Sequence, residues 1–176
     1  EAVVAREGAA RLTLDAVAAE AGISKGSVVY DYGSKEALIK AVIERQVALE
    51  GERQEKAAAR FGNHPDAVML GRIAVAAERD SEDNRAVSVN LCSALVSDGQ
   101  FRTILNQAVS RDIETVRTAS KTPRSALVAY LAVEGMRALQ ALGLYEFPAE
   151  ERRRLLDDIR RLLAGFSPSG APLVQN

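Results

Sequence analysis

Residues 13–35, TLDAVAAEAGISKGSVVYDYGSK, hold the pattern that most constrains the fold. Within it, Ala18, Gly22 and Val28 have the spacing of a tight helix-turn-helix unit. Ala18 is small where the second helix crosses over it, Gly22 can take the positive φ of a tight turn, and Val28 can fill the space between the helices. The segment therefore predicts two short helices joined by a turn, a unit that can lay its second helix in the major groove of DNA.

Polar residues mark where these helices begin and end. Thr13 is predicted to cap the first helix of the unit, Ser24 the second, and Ser34 the helix that follows. Gly8 is expected to end an earlier helix whose start precedes the sequence. Three helices are thus expected before a fourth, which runs from Ser34 to about Gln54.

The remaining sequence is also typical of helices, because apolar residues recur at helical spacing and almost none alternate with the period of a strand. Helices are predicted over about 65–79, 83–96, 100–120, 123–142 and 149–165, with Pro65 and Pro123 in first turns. The chain is therefore predicted to be all-α. An N-terminal helix-turn-helix domain over 1–46 is joined by the fourth helix to a C-terminal helical domain over 47–166, followed by a loose tail over 167–176.

The composition restricts the possible partners and sites. A net charge of −1 over 176 residues gives no general attraction to nucleic acid, so DNA binding requires a local surface. Cys92 and His64 are the only cysteine and histidine, too few for an internal disulfide or a usual transition-metal site, and we expect no metal and no cofactor. No apolar run approaches the roughly 20 residues that span a bilayer, and no secretory signal is visible. We therefore expect a cytoplasmic protein without a membrane partner.

Residues 8–46, GAARLTLDAVAAEAGISKGSVVYDYGSKEALIKAVIERQ, closely resemble the DNA-binding domain of TetR-family transcriptional regulators. The most specific parts are Thr13, the block AGISKGSVVYDYGSKEAL, and the tyrosines Tyr30 and Tyr32. The resemblance implies a helical homodimer whose C-terminal domain dimerises through its last two long helices and often holds a small ligand. It leads us to expect a regulator, most simply a repressor, of a pseudo-palindromic double-stranded DNA operator that a small-molecule effector releases.

The resemblance also assigns DNA contacts on the second helix of the unit, the recognition helix. A glycine allows close approach of the backbone, lysine and serine can donate to base edges or phosphates, and a tyrosine hydroxyl can reach a phosphate. The residues expected along the DNA are Ser24, Lys25, Gly26, Ser27 and Tyr30.

Four neighbouring residues complete this expectation. Thr13 and Lys35 stand at helix N-termini, where free N–H groups favour a phosphate oxygen, and both are expected to clamp the DNA backbone. Asp31 departs from the pattern, because a carboxylate facing DNA repels phosphate unless it accepts from a cytosine amino group or a lysine; it can equally face solvent. Tyr32 is expected to pack beneath the recognition helix.

The C-terminal half carries weaker signals. Its apolar residues can line an effector pocket or fill a core, and the core is the more frequent outcome. Glu134, in an alanine-rich helix, can bind a cationic ligand, pair with an arginine across the dimer, or lie at a partly exposed rim. The candidate pocket residues are Phe61, Met69, Ile73, Leu91, Cys92, Leu95, Phe101, Leu105, Tyr130, Glu134 and Met136. The candidate dimer residues are Leu127, Leu131, Leu156, Ile159 and Leu163, of which Leu156 and Leu163 can instead face their own core.

Two other classes of function are alternatives to a DNA-binding regulator. An enzyme is disfavoured, because the sequence has no phosphate-cradling glycine loop and no recognisable Ser/His/Asp or Cys/His arrangement. A helical module whose helix-turn-helix unit binds protein, without operator binding, is the alternative. Salt dependence separates these classes, since binding through phosphate clamps weakens steeply with salt.

Overall fold

The computed structural model describes residues 1–78, 86–87 and 99–164, and these residues form helices without a β-strand. The all-α prediction is confirmed. The first helices are α1 (Ala2–Glu7), α2 (Leu14–Ala21) and α3 (Lys25–Tyr32), with a 3-10 turn over Ala9–Arg11. The following helices are α4 (Lys35–Ala59), α5 (Ala67–Ala77), α6 (Gly99–Ala119), α7 (Pro123–Ala141) and α8 (Ala149–Leu163). Apart from residues 86–87, the helix predicted over 83–96 lies outside the described residues, as does the predicted tail over 167–176.

The apolar core of the N-terminal part joins α1 to α4. Val4, Leu12 and Val28 are each almost fully buried in it, and they pack against one face of the first half of α4. Phe101 of α6 also belongs to this core. The N-terminal helices are therefore fixed both to α4 and to a helix from the second half of the chain.

The fourth helix is longer than predicted, since it ends at Ala59 rather than near Gln54. A glycine such as Gly51 costs about 1 kcal/mol inside a helix. This cost is too small to end α4, because the helix packs against the N-terminal core before Gly51 and against α5 after it. The Gln54 Nε2 donates to Glu50 Oε1 at 2.9 Å across this point. One continuous helix therefore runs through the predicted domain boundary, and the division at residue 46 stays a prediction.

The fifth helix begins at Ala67, later than the predicted start at Pro65. The backbone N–H of Asp66 donates to His64 Nδ1 at 3.1 Å, so these residues form a turn before the helix. After this turn, α5 approaches α4 closely at Gly71. A Cβ atom at Gly71 would lie 2.6 Å from the backbone nitrogen of Ala58, so only glycine fits there without a shift. This close approach makes α4 and α5 a tightly packed pair.

The second core lies among α5, α6, α7 and α8. Its most enclosed members include Met69 of α5, Val116 of α6 and Val133 of α7. From α8, one apolar stripe enters this core: Leu156, Ile159 and Leu163. The C-terminal helices thus form a packed bundle against which the second half of α4 lies.

Candidate functional site

The turn between α2 and α3 has the geometry that its sequence predicts. Gly22 has a φ of 67°, and the N–H of Ile23 donates to the carbonyl of Ala18 at 3.0 Å. Ala18 is 5% exposed and Val28 is 1% exposed. The steric roles predicted for these residues are confirmed. Because an eight-residue helix is too short to be stable alone, α3 is held in place by its buried valine.

Side-chain caps fix the first residues of the three helices around this turn. Each cap satisfies one free backbone N–H and contributes about 1 kcal/mol to stability. The predicted caps are confirmed: Thr13 Oγ1 accepts from Ala16 N, Ser24 Oγ from Ser27 N, and Ser34 Oγ from Ala37 N, each at 3.1 Å.

The outer surface of α3 leaves its polar side chains in solvent. Tyr30 is 91% exposed, and Lys25, Gly26 and Ser27 are exposed as well. The hydroxyl oxygens of Ser24 and Ser27 lie 2.9 Å apart and share a hydrogen bond. The residues expected along DNA are therefore gathered on one short, rigidly anchored helix that is open to solvent.

Both basic residues expected to contact DNA have partners within the chain. Lys25 Nζ lies 2.8 Å from Asp15 Oδ2, and Lys35 Nζ donates to the carbonyl of Ala10 at 2.6 Å. The second contact ties the start of α4 to the 3-10 turn. An ammonium has three N–H donors, so each group keeps donors that a phosphate can use. The exposed Lys25–Asp15 ion pair contributes at most about 1 kcal/mol and does not prevent such a contact.

The expectation that Tyr32 packs in the core is wrong, because Tyr32 is 41% exposed. Helix α3 ends at this residue, and the chain turns away at Gly33, which has a φ of 70°. The ring therefore lies at the edge of the helix, and Val28 alone of α3 is buried.

A cleft of about 480 Å³ lies among α4, α5, α6 and α7. Apolar side chains line part of it, including Val47, Leu105 and Val109, and polar and charged side chains line much of the rest. Ile43 both lines the cleft and belongs to the N-terminal core. A molecule in the cleft would therefore touch the same helix that supports α3.

Most residues predicted to line an effector pocket are packing residues instead. Leu105 and Glu134 do line the cleft. The remaining described candidates are corrected, because their side chains fill or flank a core: Met69, Ile73 and Tyr130 are buried in the C-terminal core, Phe61 and Met136 pack against it, and Phe101 is buried in the N-terminal core. Leu91, Cys92 and Leu95 lie outside the described residues.

Five alternating charges, here called the charge chain, cross the cleft in the order Glu50, Arg137, Glu134, Arg72, Asp112. Its outer contacts are short: Arg137 Nη2 lies 2.7 Å from Glu50 Oε1, and Arg72 Nη2 lies 2.6 Å from Asp112 Oδ1. Its inner contacts are long, since Glu134 Oε1 lies 3.6 Å from Arg137 Nη1 and 3.8 Å from Arg72 Nη1. The charge chain therefore has short contacts at both ends and long contacts around Glu134.

Arg72 is the most enclosed member of the charge chain, at 5% exposure. Its guanidinium carbon lies 5.3 Å from the ring centroid of Tyr130, a cation–π contact. Its Nε is buried without a hydrogen-bond partner among the described residues. The apolar sequence AVMLGRIAVAA contains this single charge, and such a charge within an apolar helix is the signal that the sequence analysis missed.

Burial raises the pKa of the Glu134 carboxyl above its ordinary value, and the opposing charges of Arg137 and Arg72 offset this only in part. The folded state therefore holds this proton more tightly than the unfolded state does. A raised carboxyl pKa gives stability that is present at low pH and is lost as the pH rises through the raised value.

Replacing Glu134 with glutamine is expected to remove the loss of stability that accompanies ionisation of this carboxyl as the pH rises. The stability of E134Q relative to the unmodified protein should increase between about pH 4 and about pH 7, by less than about 1 kcal/mol because the partly exposed carboxylate is screened. Urea unfolding of both proteins at the two pH values measures this difference. A difference that is constant or decreases with pH would contradict the assignment.

Helix α7 has two contrasting faces. Ala126, Ala129 and Val133 are buried in the C-terminal core, whereas Val128 and Leu131 on the other side are 50% and 59% exposed. Of the candidate dimer residues, Leu131 is thus exposed and Leu127 is partly buried. Those of α8 are corrected, because Leu156, Ile159 and Leu163 are buried within their own chain and cannot form the surface of an interface.

The described parts of the chain hold neither a cluster of metal ligands nor a membrane-spanning helix. No group of three or more His, Cys, Asp or Glu side chains there is arranged to hold a metal ion. None of the described helices is long and apolar enough to cross a membrane.

The chain is similar to known regulators in both of its halves. Residues 1–42 match the family model described as "Bacterial regulatory proteins, tetR family", and residues 66–164 match "Tetracyclin repressor-like, C-terminal domain". No curated protein matches the sequence.

Two solved structures have a similar fold. A TetR-family transcriptional regulator from Rhodococcus sp. superposes with a TM-score of 0.70 at 17% identity, over 92% of this chain and 93% of that one. A transcriptional regulator from Streptomyces coelicolor A3(2) gives a TM-score of 0.67 at 20% identity, over 93% of this chain and 92% of that one. At these identities the likeness concerns the fold alone.

Proposed function

Because this chain belongs to the TetR family of bacterial regulatory proteins, a family of DNA-binding regulators, we propose that it is a homodimeric repressor of a pseudo-palindromic operator. A small-molecule effector in the cleft would release the operator. Regulators of this family are generally non-enzymatic, which favours this function over the enzyme alternative.

The observation that carries the DNA-binding part is the contrast within α3. Val28 anchors the helix at 1% exposure, while Tyr30 is 91% exposed beside Lys25 and Ser27. A rigid helix with solvent-facing donors is what reading a major groove requires. Lys25, Ser27 and Tyr30, with Ser24 and Gly26, are proposed to lie in or along the groove, and Thr13 and Lys35 to contact phosphates.

Salt dependence tests this assignment. The affinity for duplex DNA should fall steeply with salt, and Lys25→Ala should reduce the slope of log affinity against log salt by about 1 if Lys25 contacts a phosphate. Fluorescence anisotropy across a salt series measures the slope. A protein-interaction module would give no steep slope, and an unchanged slope in K25A would remove Lys25 from the phosphate contacts.

The exposed apolar face of α7 supports dimerisation. Val128, Leu131, Leu139 and Leu142 are each at least 39% exposed and recur at helical spacing. Gly135 lies within this stripe, and a Cβ atom there would meet no atom within 4 Å, which allows a second helix to approach closely. We propose that this face of α7 pairs with its symmetry mate. The exposed surface of α8 is charged, with Arg153, Arg154 and Asp158, and contributes at the rim.

Leu131→Glu is expected to disrupt this dimer. An unpaired carboxylate buried in an apolar interface should raise the dimer dissociation constant at least about 100-fold, while the fold is retained because Leu131 is exposed in the single chain. Sedimentation velocity measures the change. Leu49→Glu, at a 38% exposed position of α4, is the control that should remain dimeric. A dimer that survives L131E would exclude this face.

Release of DNA is proposed to act through α4. Its first half packs with Val28 in the N-terminal core, and its second half lines the cleft. The two recognition helices of a dimer must enter grooves about 34–36 Å apart, so a small movement of α4 changes their spacing. An effector shifts the equilibrium only if it binds one dimer shape more tightly than the other.

A further inference from the structure

Resting on the proposed function, the geometry points to the chemical class of the effector. We propose that the cleft takes an uncharged amphipathic molecule whose head group, a hydroxyl or a primary amide, both donates and accepts hydrogen bonds. The head lies at the loose centre of the charge chain, between Glu134 and Arg72, and the apolar body lies along α4 and α6.

Arg72 supplies unused donors at this point. A guanidinium has five N–H donors, and here the group makes one short contact, 2.6 Å to Asp112. Its Nη1 is 3.8 Å from Glu134, beyond hydrogen-bond distance, and its buried Nε has no hydrogen-bond partner among the described residues. Unpaired donors on an enclosed guanidinium are costly, and a ligand acceptor at Nη1 would give the group a further partner.

Glu134 supplies the matching acceptor. Its contacts with Arg72 and Arg137, at 3.8 Å and 3.6 Å, are both longer than hydrogen bonds. Its side chain is 35% exposed at the cleft, so a ligand can reach it. A hydroxyl or amide that donates to this carboxylate and accepts from the guanidinium satisfies both groups at once, which a group that only donates or only accepts cannot do.

The charges of the lining favour a neutral ligand over a charged one. Among the described residues, four arginines and four acidic residues line the cleft, and their formal charges cancel. A ligand carboxylate would compete with Glu134 for the same guanidinium groups. A ligand ammonium would lie beside two guanidinium groups, and no aromatic side chain from the described part of the chain lines the cleft to stabilise it through a cation–π contact.

The remaining lining suits an apolar body of moderate size. Its apolar side chains come from three helices, and a cleft of about 480 Å³ is within the range for small-molecule sites. These apolar residues are Ile43, Val47, Ala58, Val68, Leu105, Ala108 and Val109.

Four probes with one shared body test the head group: 4-phenylbutan-1-ol, 4-phenylbutanamide, 4-phenylbutylamine and 4-phenylbutyrate. Titration of the full chain, followed by calorimetry or by amide NMR shifts, gives their affinities. The alcohol and the amide are expected to bind at least about tenfold more tightly than the amine and the carboxylate. Tighter binding of either charged probe, equal binding of all four, or no binding of any would overturn the proposal.

Two variants place the head group at Glu134. Glu134→Leu should bring the affinities of alcohol and carboxylate to within about twofold of each other, because the acceptor for the alcohol and one negative charge are both lost. Glu134→Gln makes the lining net positive and should move the preference toward the carboxylate by about tenfold. Glu114→Leu removes an exposed carboxylate that does not line the cleft and should keep the original preference. If the preference is unchanged in both Glu134 variants, the placement is wrong.

A parallel measurement of duplex DNA binding distinguishes failure of the head-group inference from failure of the proposed function. If DNA is bound but the probes do not discriminate as expected, the head-group inference alone fails. If the folded protein binds no DNA at any salt concentration, the proposed function fails, whatever the probes do.

Discussion

Replacing Gly71 with alanine is expected to destabilise the protein by about 1–3 kcal/mol, the usual cost of overpacking a tightly packed contact. The same replacement at an open helix position stabilises a protein by roughly 0.5–1 kcal/mol, so the sign is reversed here. The reason is the α4–α5 contact. The added methyl group would lie 2.6 Å from the backbone nitrogen and 2.8 Å from the Cα of Ala58, and backbone cannot move aside as a flexible side chain can.

Gly51→Ala is the matched control for this prediction. Gly51 lies within α4 and also lines the cleft, but a Cβ atom there would meet nothing within 4 Å. G51A should therefore be stabilised by up to about 1 kcal/mol. Urea unfolding of G71A, G51A and the unmodified protein measures both changes. Equal or greater stability of G71A would contradict the close approach of α4 and α5.

Gly26→Glu is expected to abolish DNA binding while it preserves or increases stability. Gly26 is exposed in the first turn of α3, and a Cβ atom there would meet only Ser24 Oγ, at 3.6 Å. A carboxylate near a helix N-terminus is favourable, and replacing glycine in a helix adds up to about 1 kcal/mol. On bound DNA, the same carboxylate would meet phosphates and the groove floor, and we expect at least about 100-fold weaker binding.

Gly99→Glu provides the comparison for G26E. It adds the same charge at the first residue of α6, where a Cβ atom would also meet nothing within 4 Å. G99E should bind duplex DNA within about twofold of the unmodified protein, since Gly99 is not among the residues proposed to contact DNA. Thermal unfolding and DNA anisotropy on both variants separate folding from binding. Retained DNA binding by folded G26E would remove α3 from the interface.

The helix-turn-helix unit could be predicted because its determinants are local. The turn needs a positive φ at Gly22, and the crossing needs a small residue at Ala18 and a filler at Val28, so three positions within a few turns fix the geometry. The caps at Thr13, Ser24 and Ser34 are equally local. Whether a side chain such as Tyr32 is buried depends on packing against other helices, and the prediction that Tyr32 is buried was wrong.

The cleft could not be predicted in this way, because its polar members come from four helices. Glu50, Arg72, Asp112 and Glu134 are separated by long stretches of chain, and their pairing depends on how α4 to α7 pack. Apolar residues such as Met69 and Ile73 did not identify the cleft. In a helical bundle, apolar residues at helical spacing form the core, as these two do.

The predicted role of α8 illustrates the same limit. Its apolar stripe identifies which residues avoid water, but it does not say whether the neighbouring helix belongs to the same chain or to a partner. The stripe packs within the chain, at Leu156, Ile159 and Leu163. An exposed apolar face lies on α7, where residues such as Leu131 lie opposite a buried alanine-rich side.

The most direct test of the central claim is selection of binding sites from a random pool of double-stranded DNA by the folded protein at near-physiological salt. We expect an inverted repeat, with half-site centres about 34–36 Å apart or at a multiple of one helical turn, because two recognition helices related by a two-fold axis must enter successive major grooves. G26E should enrich no motif from the same pool. Failure of the unmodified, dimeric protein to enrich any motif would contradict the account and favour a module that binds protein.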